Sequence, residues 1–244
     1  MEQRRVLLKV SDLRVENSEG VLFKSLNFAL YSSEIMMVLG RSGCGKSTLL
    51  RLLIGLDRAK SGHIEIDGIA LPAIPQLSRK IGMMFQSGAL LGSYSLLENL
   101  ILPLKVHTQL DKFACRYIAL EKLKLVGLSK FADYYPMELS GGMLKRAAIA
   151  RALMLGPEIV LLDEPYAGLD PVTITELDDL IVQLTNTLGL SFLIVTHELA
   201  SVFTIADRII LLDQQAQGIV ESGVPQQIRE QSENPLVKQF LRMD

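Results

Sequence analysis

The chemistry of this chain is densest in nine consecutive residues: Gly40, Arg41, Ser42, Gly43, Cys44, Gly45, Lys46, Ser47 and Thr48. They match G-x-x-x-x-G-K-[ST] in full, with the apolar run Ile35–Leu39 before them and a helical leucine pattern after them. Glycines at these positions let consecutive backbone N–H groups curl round phosphate oxygens, and a following helix adds the positive end of its dipole. Lys46 is spaced to reach β- and γ-phosphates, and Ser47 to give an oxygen to Mg2+.

A second acidic half follows about a hundred residues later. The apolar run Ile159–Leu162 feeds into Asp163-Glu164. Asp163 suits a Mg2+-holding carboxylate at the end of a buried strand. Glu164 is then placed to orient and deprotonate a water attacking the γ-phosphate. Gln86, after the strand-like "IGMMF", is in position to reach the Mg2+ or that water. His197 ends the buried-looking run "LIVT", and the residues alone leave a structural and a phosphate-contacting role both open. His63 and His107 lie in surface-like settings, and three scattered histidines argue against a zinc site. No G-x-S-x-G elbow is present, which argues against a serine nucleophile. Ser140, Gly141, Gly142 and Met143 stand at the head of an apolar-periodic run. A helix start with free N–H groups, a hydroxyl and no Cβ at two positions can close tightly on an anion.

These residues need a framework, and the composition allows one. The 244 residues are 49% hydrophobic, enough for a single large α/β domain with a substantial core. With 25 basic and 27 acidic side chains the formal charge is -2, so no global field favours nucleic acid or an anionic membrane. Cys44 and Cys115 are isolated, as in a reduced compartment. The start lacks a signal-peptide core, and every apolar run is too short to span a bilayer.

Alternation predicts strands at 5–10 and 21–30, joined by a polar turn over Glu16–Gly20, and further strands at 35–39, 62–67 and 80–85. From Lys46 a helix would bury Leu49, Leu52, Leu53 and Leu56. Residues from about 92 to 152 read as helical patterns broken at Pro103 and Pro136, a helical subdomain inserted into the α/β core. Strand signal resumes at 158–162. Asp170-Pro171 then starts a helix with a stripe of Ile174, Leu177, Leu180, Ile181, Leu184 and Leu188. Strands at 191–196, 208–213 and 217–222 and a short helical tail over about 225–244 complete the chain. Alternating strands and helices favour a partly parallel sheet covered on both faces.

In order and spacing, "GRSGCGKST", Gln86, "LSGGM", "LLDEP", "AGLD" and "THE" resemble the nucleotide-binding subunit of ATP-binding cassette transporters over essentially the whole chain. The resemblance implies a P-loop NTPase core of ABC-ATPase type, residues 1–244 as one domain, with an N-terminal antiparallel β part. It implies a head-to-tail homodimer sandwiching two ATP molecules with Mg2+. Each nucleotide would lie between one phosphate loop and the Ser140–Met143 segment of the other subunit. His197 would then contact the γ-phosphate, Asp170 would communicate between sites, and Phe23, with Phe28 a poorer match, would stack on adenine.

Met143 stands where the family motif usually has glutamine. With "MMFQSGALLGSYSLLENLILPL" it is similar to the Mla-type intermembrane phospholipid transport ATPases of Gram-negative bacteria. That similarity implies a peripheral location on the cytoplasmic side of the inner membrane. It implies an integral-membrane permease docked near Ala89, Leu90, Leu91, Tyr94, Leu96 and Leu97, a STAS-domain regulator and a periplasmic Mce-domain protein. Transporters for amino acids, lipoproteins or metals use nearly the same engine, and a soluble ABC-type regulatory clamp is a more distant alternative.

Overall fold

A computed structural model describes residues 4–17, 20–71 and 79–241. Two sheets meet around the phosphate loop. The larger has the order β10-β9-β3-β8-β7-β6, built from β3 (Ile35–Gly40), β6 (Ile81–Met84), β7 (Ile159–Asp163), β8 (Ser191–Val195), β9 (Arg208–Asp213) and β10 (Gly218–Gly223). Its pairs are parallel except β9 with β10. The smaller is antiparallel, in the order β2-β1-β4-β5, from β1 (Val6–Asn17), β2 (Gly20–Tyr31), β4 (Ser61–Ile66) and β5 (Ile69–Ala70).

The strand period of two sorts the core into two layers. On β3, Met36 and Val38 join Leu193 and Val195 of β8 in a cluster shared with the antiparallel sheet and α1 (Lys46–Leu53). Ile35, Met37 and Leu39 face the opposite way, with Phe192 and Ile194, into a cluster shared with the remaining helices. β3, β7 and β8 are buried along their whole length, so they read as continuous apolar runs rather than alternations.

The helices between β6 and β7 are α2 (Leu96–His107), α3 (Lys112–Leu125) and α4 (Gly141–Ala152). A capping box closes α2: Ser95 accepts from the Glu98 N–H, and the Glu98 carboxylate accepts from the Ser95 N–H. Contrary to the expected break, α2 continues through Pro103, because Leu96, Leu97, Leu100 and Leu104 are buried on both sides of it. Pro136 does interrupt, opening a short 3-10 turn before α4. The third layer is completed by α5 (Pro171–Leu188), α6 (Leu199–Ile205), α7 (Pro225–Gln231) and α8 (Pro235–Leu241). Asp170 caps α5 by accepting from the N–H groups of Val172 and Thr173, with Pro171 at the first helical position.

Several expectations are corrected. Glu16, Asn17 and Gly20 belong to long strands rather than to a turn, with Glu16 opposite Val21 and Asn17 opposite Gly20. Leu56 lies past the end of α1 and is exposed, and Leu188 is exposed at the end of α5. Leu96 and Leu97 are core residues rather than parts of a docking face, whereas Leu91 and Tyr94 remain exposed. No described helix is long and apolar enough to cross a membrane.

Candidate functional site

The phosphate loop runs from the end of β3 into α1, and its shape is set by glycines at positive φ: 150° at Gly40, 82° at Gly43 and 100° at Gly45. A Cβ at Gly40 would lie 2.6 Å from the Leu212 carbonyl oxygen, and one at Gly45 would lie 2.5 Å from the Phe23 ring. The loop is therefore pressed onto β9 on one side and β2 on the other. Cys44 turns its thiol inward, where burial pushes the pKa up. The Lys46 ammonium donates to the Gly40 and Arg41 carbonyls at 2.7 and 3.2 Å, lying along the loop it serves.

Sheet order brings the other groups to the same edge. β8 lies between β3 and β7, so the residues following it are flanked by the phosphate loop and by Asp163-Glu164. Thr196 donates its N–H to the Val38 carbonyl, and His197 Nδ1 lies 2.8 Å from Glu164 Oε2. Gln86, two residues past β6, joins Ser42, Gly43, Gly45, Lys46, Ser47, Thr48 and Glu164 around a cleft of about 330 Å³.

Asp163 is buried, and its Oδ1 has no hydrogen-bond partner. Burial raises its pKa, followed by the Glu164 charge, while the Ser47 hydroxyl and the Lys46 and Lys145 cations pull the other way. An orphaned carboxylate oxygen beside a serine hydroxyl is a hard-oxygen donor set that suits Mg2+. Asp163 and Ser47 would hold such an ion, which would neutralise phosphate charge when bound.

Glu164 has φ 46°, in the left-handed region that a residue with a Cβ enters at a cost of roughly 1–3 kcal/mol. Its N–H donates to the Val195 carbonyl at 2.9 Å, and Lys145 approaches its carbonyl. That geometry turns the Glu164 carboxylate towards His197 and the cleft instead of along the strand.

One placement differs from expectation, and one residue was missed. Phe23 does not offer its ring for stacking. It is fully buried beneath Gly45, because strand alternation points it into the core, and its neighbour Leu22 lines the cleft instead. Ser140, Gly141, Gly142 and Met143 lie at the start of α4, with Ser140 Oγ accepting from the Met143 N–H at 3.3 Å and Met143 packed against the core. In this chain they do not join the cleft-lining residues. Sequence reasoning passed over Lys145, although Lys145, Ala148, Ile149 and Ala152 share one face of α4 at helical spacing. A lysine on an otherwise apolar face was the available signal.

Phosphate loop, interposed strand and acidic strand end together define a P-loop nucleotide-hydrolysing domain. The ABC transporter family model matches residues 23–167, and the chain belongs to that family. It is an ATP-binding, ATP-hydrolysing cassette. The Haemophilus influenzae intermembrane phospholipid transport system ATP-binding protein MlaF is 35% identical over 97% of this chain and 90% of its own length. The MlaF of Escherichia coli K12 is 36% identical over 96% and 88%. A probable ribonucleotide transport ATP-binding protein, mkl of Mycobacterium tuberculosis, is 37% identical over 97% of this chain and 66% of its own. Among solved structures, a dimeric post-hydrolysis state of the cassette MJ0796 bound to ADP and Pi has a TM-score of 0.80 at 31% identity, covering 89% and 98%. The cbiO1 cassette of Clostridium perfringens has a TM-score of 0.85 at 29% identity, covering 98% and 96%.

Proposed function

We propose that this chain is the ATPase subunit of a transporter that moves phospholipid between inner and outer membranes. The observation that carries the cargo assignment is the near-full-length similarity to two MlaF proteins. Met143 in the serine-glycine segment and the 83–104 segment accord with it. The chain would sit on the cytoplasmic side of the inner membrane as a homodimer, bound to an integral-membrane permease, with a STAS-domain regulator and an Mce-domain protein in the same system. Leu91 and Tyr94, exposed beside the Gln86 loop, offer apolar surface to the permease.

Within each site, the loop N–H groups and Lys46 hold the phosphates, and Ser47, Asp163 and Gln86 are the residues that would hold a Mg2+ accompanying ATP, which would neutralise phosphate charge. Glu164 accepts a proton from the attacking water, and His197 stabilises the γ-phosphate side of the site. Ser140, Gly141 and Gly142 of the second subunit cap the γ-phosphate through the α4 N-terminus. Asp170, beside that segment at the start of α5, couples the two sites: a Cβ on Gly142 would lie 2.4 Å from Thr173 Cγ2.

Native purification from detergent-solubilised membranes, with mass spectrometry of proteins and lipids, tests the assignment. A permease, an Mce-domain protein and bound glycerophospholipid support it. Recovery of an unrelated permease with a ribonucleotide, amino-acid or metal cargo would replace the lipid reading and leave the ATPase reading intact.

A further inference from the structure

Lys145 is a charged side chain from the interior of α4, only 9% exposed, with no carboxylate among the described residues within salt-bridge distance. Its ammonium donates instead to two backbone carbonyls, Gln86 at 2.8 Å and Glu164 at 3.4 Å. These carbonyls belong to the loop after β6 and the turn after β7, the two segments that bring Gln86 and Glu164 side chains to the cleft. Burial lowers the lysine pKa, while the nearby Glu164 and Asp163 charges work to keep it protonated. A second α4 side chain, Arg151, donates to the carbonyls of Gly88 and Ala89 in the same loop. The helix that begins at Ser140 thus grips the Gln86 loop at two points and the Glu164 turn at one.

We propose that Lys145 is a positioning residue for ATP hydrolysis: by bridging the Gln86 and Glu164 carbonyls it fixes the base and the glutamine relative to each other and to α4. The physical need lies in Glu164. Its positive φ is held at both peptide ends, by the Val195 carbonyl on its N–H and, at its carbonyl, by the Ala167 N–H at 3.3 Å together with Lys145 at 3.4 Å. Without the ammonium, the Ala167 N–H is left to hold the Glu164 carbonyl and the tie to the Gln86 loop is lost, so the turn loosens and its carboxylate drifts from its place at the cleft. Because α4 also carries Ser140, the same bridge passes any movement of the serine-glycine segment to the base of its own subunit. The inference rests on the hydrolytic roles proposed for Glu164 and Gln86.

The test uses the full-length protein with steady-state Mg-ATPase kinetics and equilibrium nucleotide binding. Lys145→Met keeps the length and apolar stem but removes the donors. Since a misplacement of about 1 Å can cost a hundredfold, kcat should fall at least about tenfold. KM and nucleotide affinity should stay within about twofold, because the phosphate loop is untouched. Lys145→Arg and Lys145→Gln retain N–H donors, and at least one should recover kcat to within about threefold of wild type. Wild-type kcat in the methionine variant overturns the proposal. So does a loss of kcat that neither donor-bearing variant restores, or one that tracks a fall in thermal stability. If Lys145→Met does not fold, the arginine and glutamine variants decide on the same criterion. Wild-type protein that binds but never hydrolyses Mg-ATP would instead overturn the hydrolytic roles on which the inference rests.

Discussion

His197 Nδ1 and Glu164 Oε2 lie 2.8 Å apart, joining the turn after β8 to the turn after β7. Glu164 is largely buried, with 14% of its side chain exposed, while the His197 side chain is 68% exposed. An ionised Glu164 can only accept, so Nδ1 carries the proton of this bond; Nε2 then accepts from a water in the neutral ring and donates to a phosphate oxygen only in the imidazolium. The imidazole thereby fixes one carboxylate oxygen and leaves the other without a claim from His197.

Glu164→Gln keeps the size of the side chain and a partner for His197 but removes the proton acceptor. A general base contributes typically about a hundredfold to ten-thousandfold, so turnover should fall by that order while ATP binding persists. The closed dimer should accumulate with ATP, which size-exclusion chromatography reads directly. Unchanged steady-state ATPase activity would remove Glu164 from the role of base.

Lys46→Ala should act on binding. Its ammonium now rests on the Gly40 and Arg41 carbonyls, and those contacts hold it over the loop. Charge-assisted hydrogen bonds to phosphate are about twice as strong as neutral ones, so loss of the ammonium should weaken nucleotide affinity by about tenfold or more. Titration calorimetry with ATP and ADP checks this, and normal affinity with normal turnover would rule it out.

The parts of the site set by local pattern were legible in the sequence. The phosphate loop needs glycines at fixed offsets, and Asp170-Pro171 is a helix start whatever surrounds it. Asp163 and Glu164 follow an apolar run that only a buried strand accommodates. What was hidden depends on pairing between distant segments. Whether Phe23 or Leu22 faces the cleft is a matter of parity, set by β2 pairing with β1, where Phe23 lies opposite Val15. The aromatic type suggested stacking, but the register sends it inward. Lys145 was illegible as a bridge because both its acceptors are carbonyls, which any residue supplies. Leu96 and Leu97 showed apolarity without showing which way the capped helix faces.

Phe23→Ala should therefore damage the fold more than recognition of the base. Truncating a fully buried phenylalanine costs roughly 3–5 kcal/mol, and here the cavity would open directly beneath Gly45. Urea unfolding should show that loss. Leu22→Ala, at the cleft wall, should leave stability nearly unchanged and lower nucleotide affinity. A Phe23 variant of wild-type stability with impaired adenine discrimination would return the stacking role to that residue.

Asp163→Asn should separate stability from function. Burial, then the Glu164 charge, raises the Asp163 pKa in the fold. This group favours the folded state most below its unfolded pKa, and that contribution is lost as pH rises through the raised folded value. Above that raised value the carboxylate is ionised in both states, so folding carries the full cost of burying it. The neutral amide removes that cost: without nucleotide, the variant should melt higher than wild type at pH 7, with the gain shrinking towards acidic pH. Stabilisation by Mg2+ with ATP, strong in the wild type, should be lost. Differential scanning fluorimetry across pH, with and without Mg-ATP, measures both, and a variant that melts lower without ligand would contradict the account.

Ser140→Ala asks whether one hydroxyl does two jobs. Its oxygen already accepts from the Met143 N–H as the cap of α4, and losing a cap costs about 0.5–2 kcal/mol of stability. A serine hydroxyl accepts through lone pairs and still donates through O–H, so capping leaves its proton free for a γ-phosphate from a second subunit. Losing a positioned donor to developing charge costs about 2.7–4 kcal/mol in the transition state, a hundredfold to a thousandfold in kcat. The two effects separate experimentally, because urea unfolding of the monomer reads the cap alone and turnover reads both. A fall in kcat far beyond the stability loss, in a variant that still binds ATP, is the expected outcome. A kcat decrease no larger than the cap accounts for would confine Ser140 to its own helix.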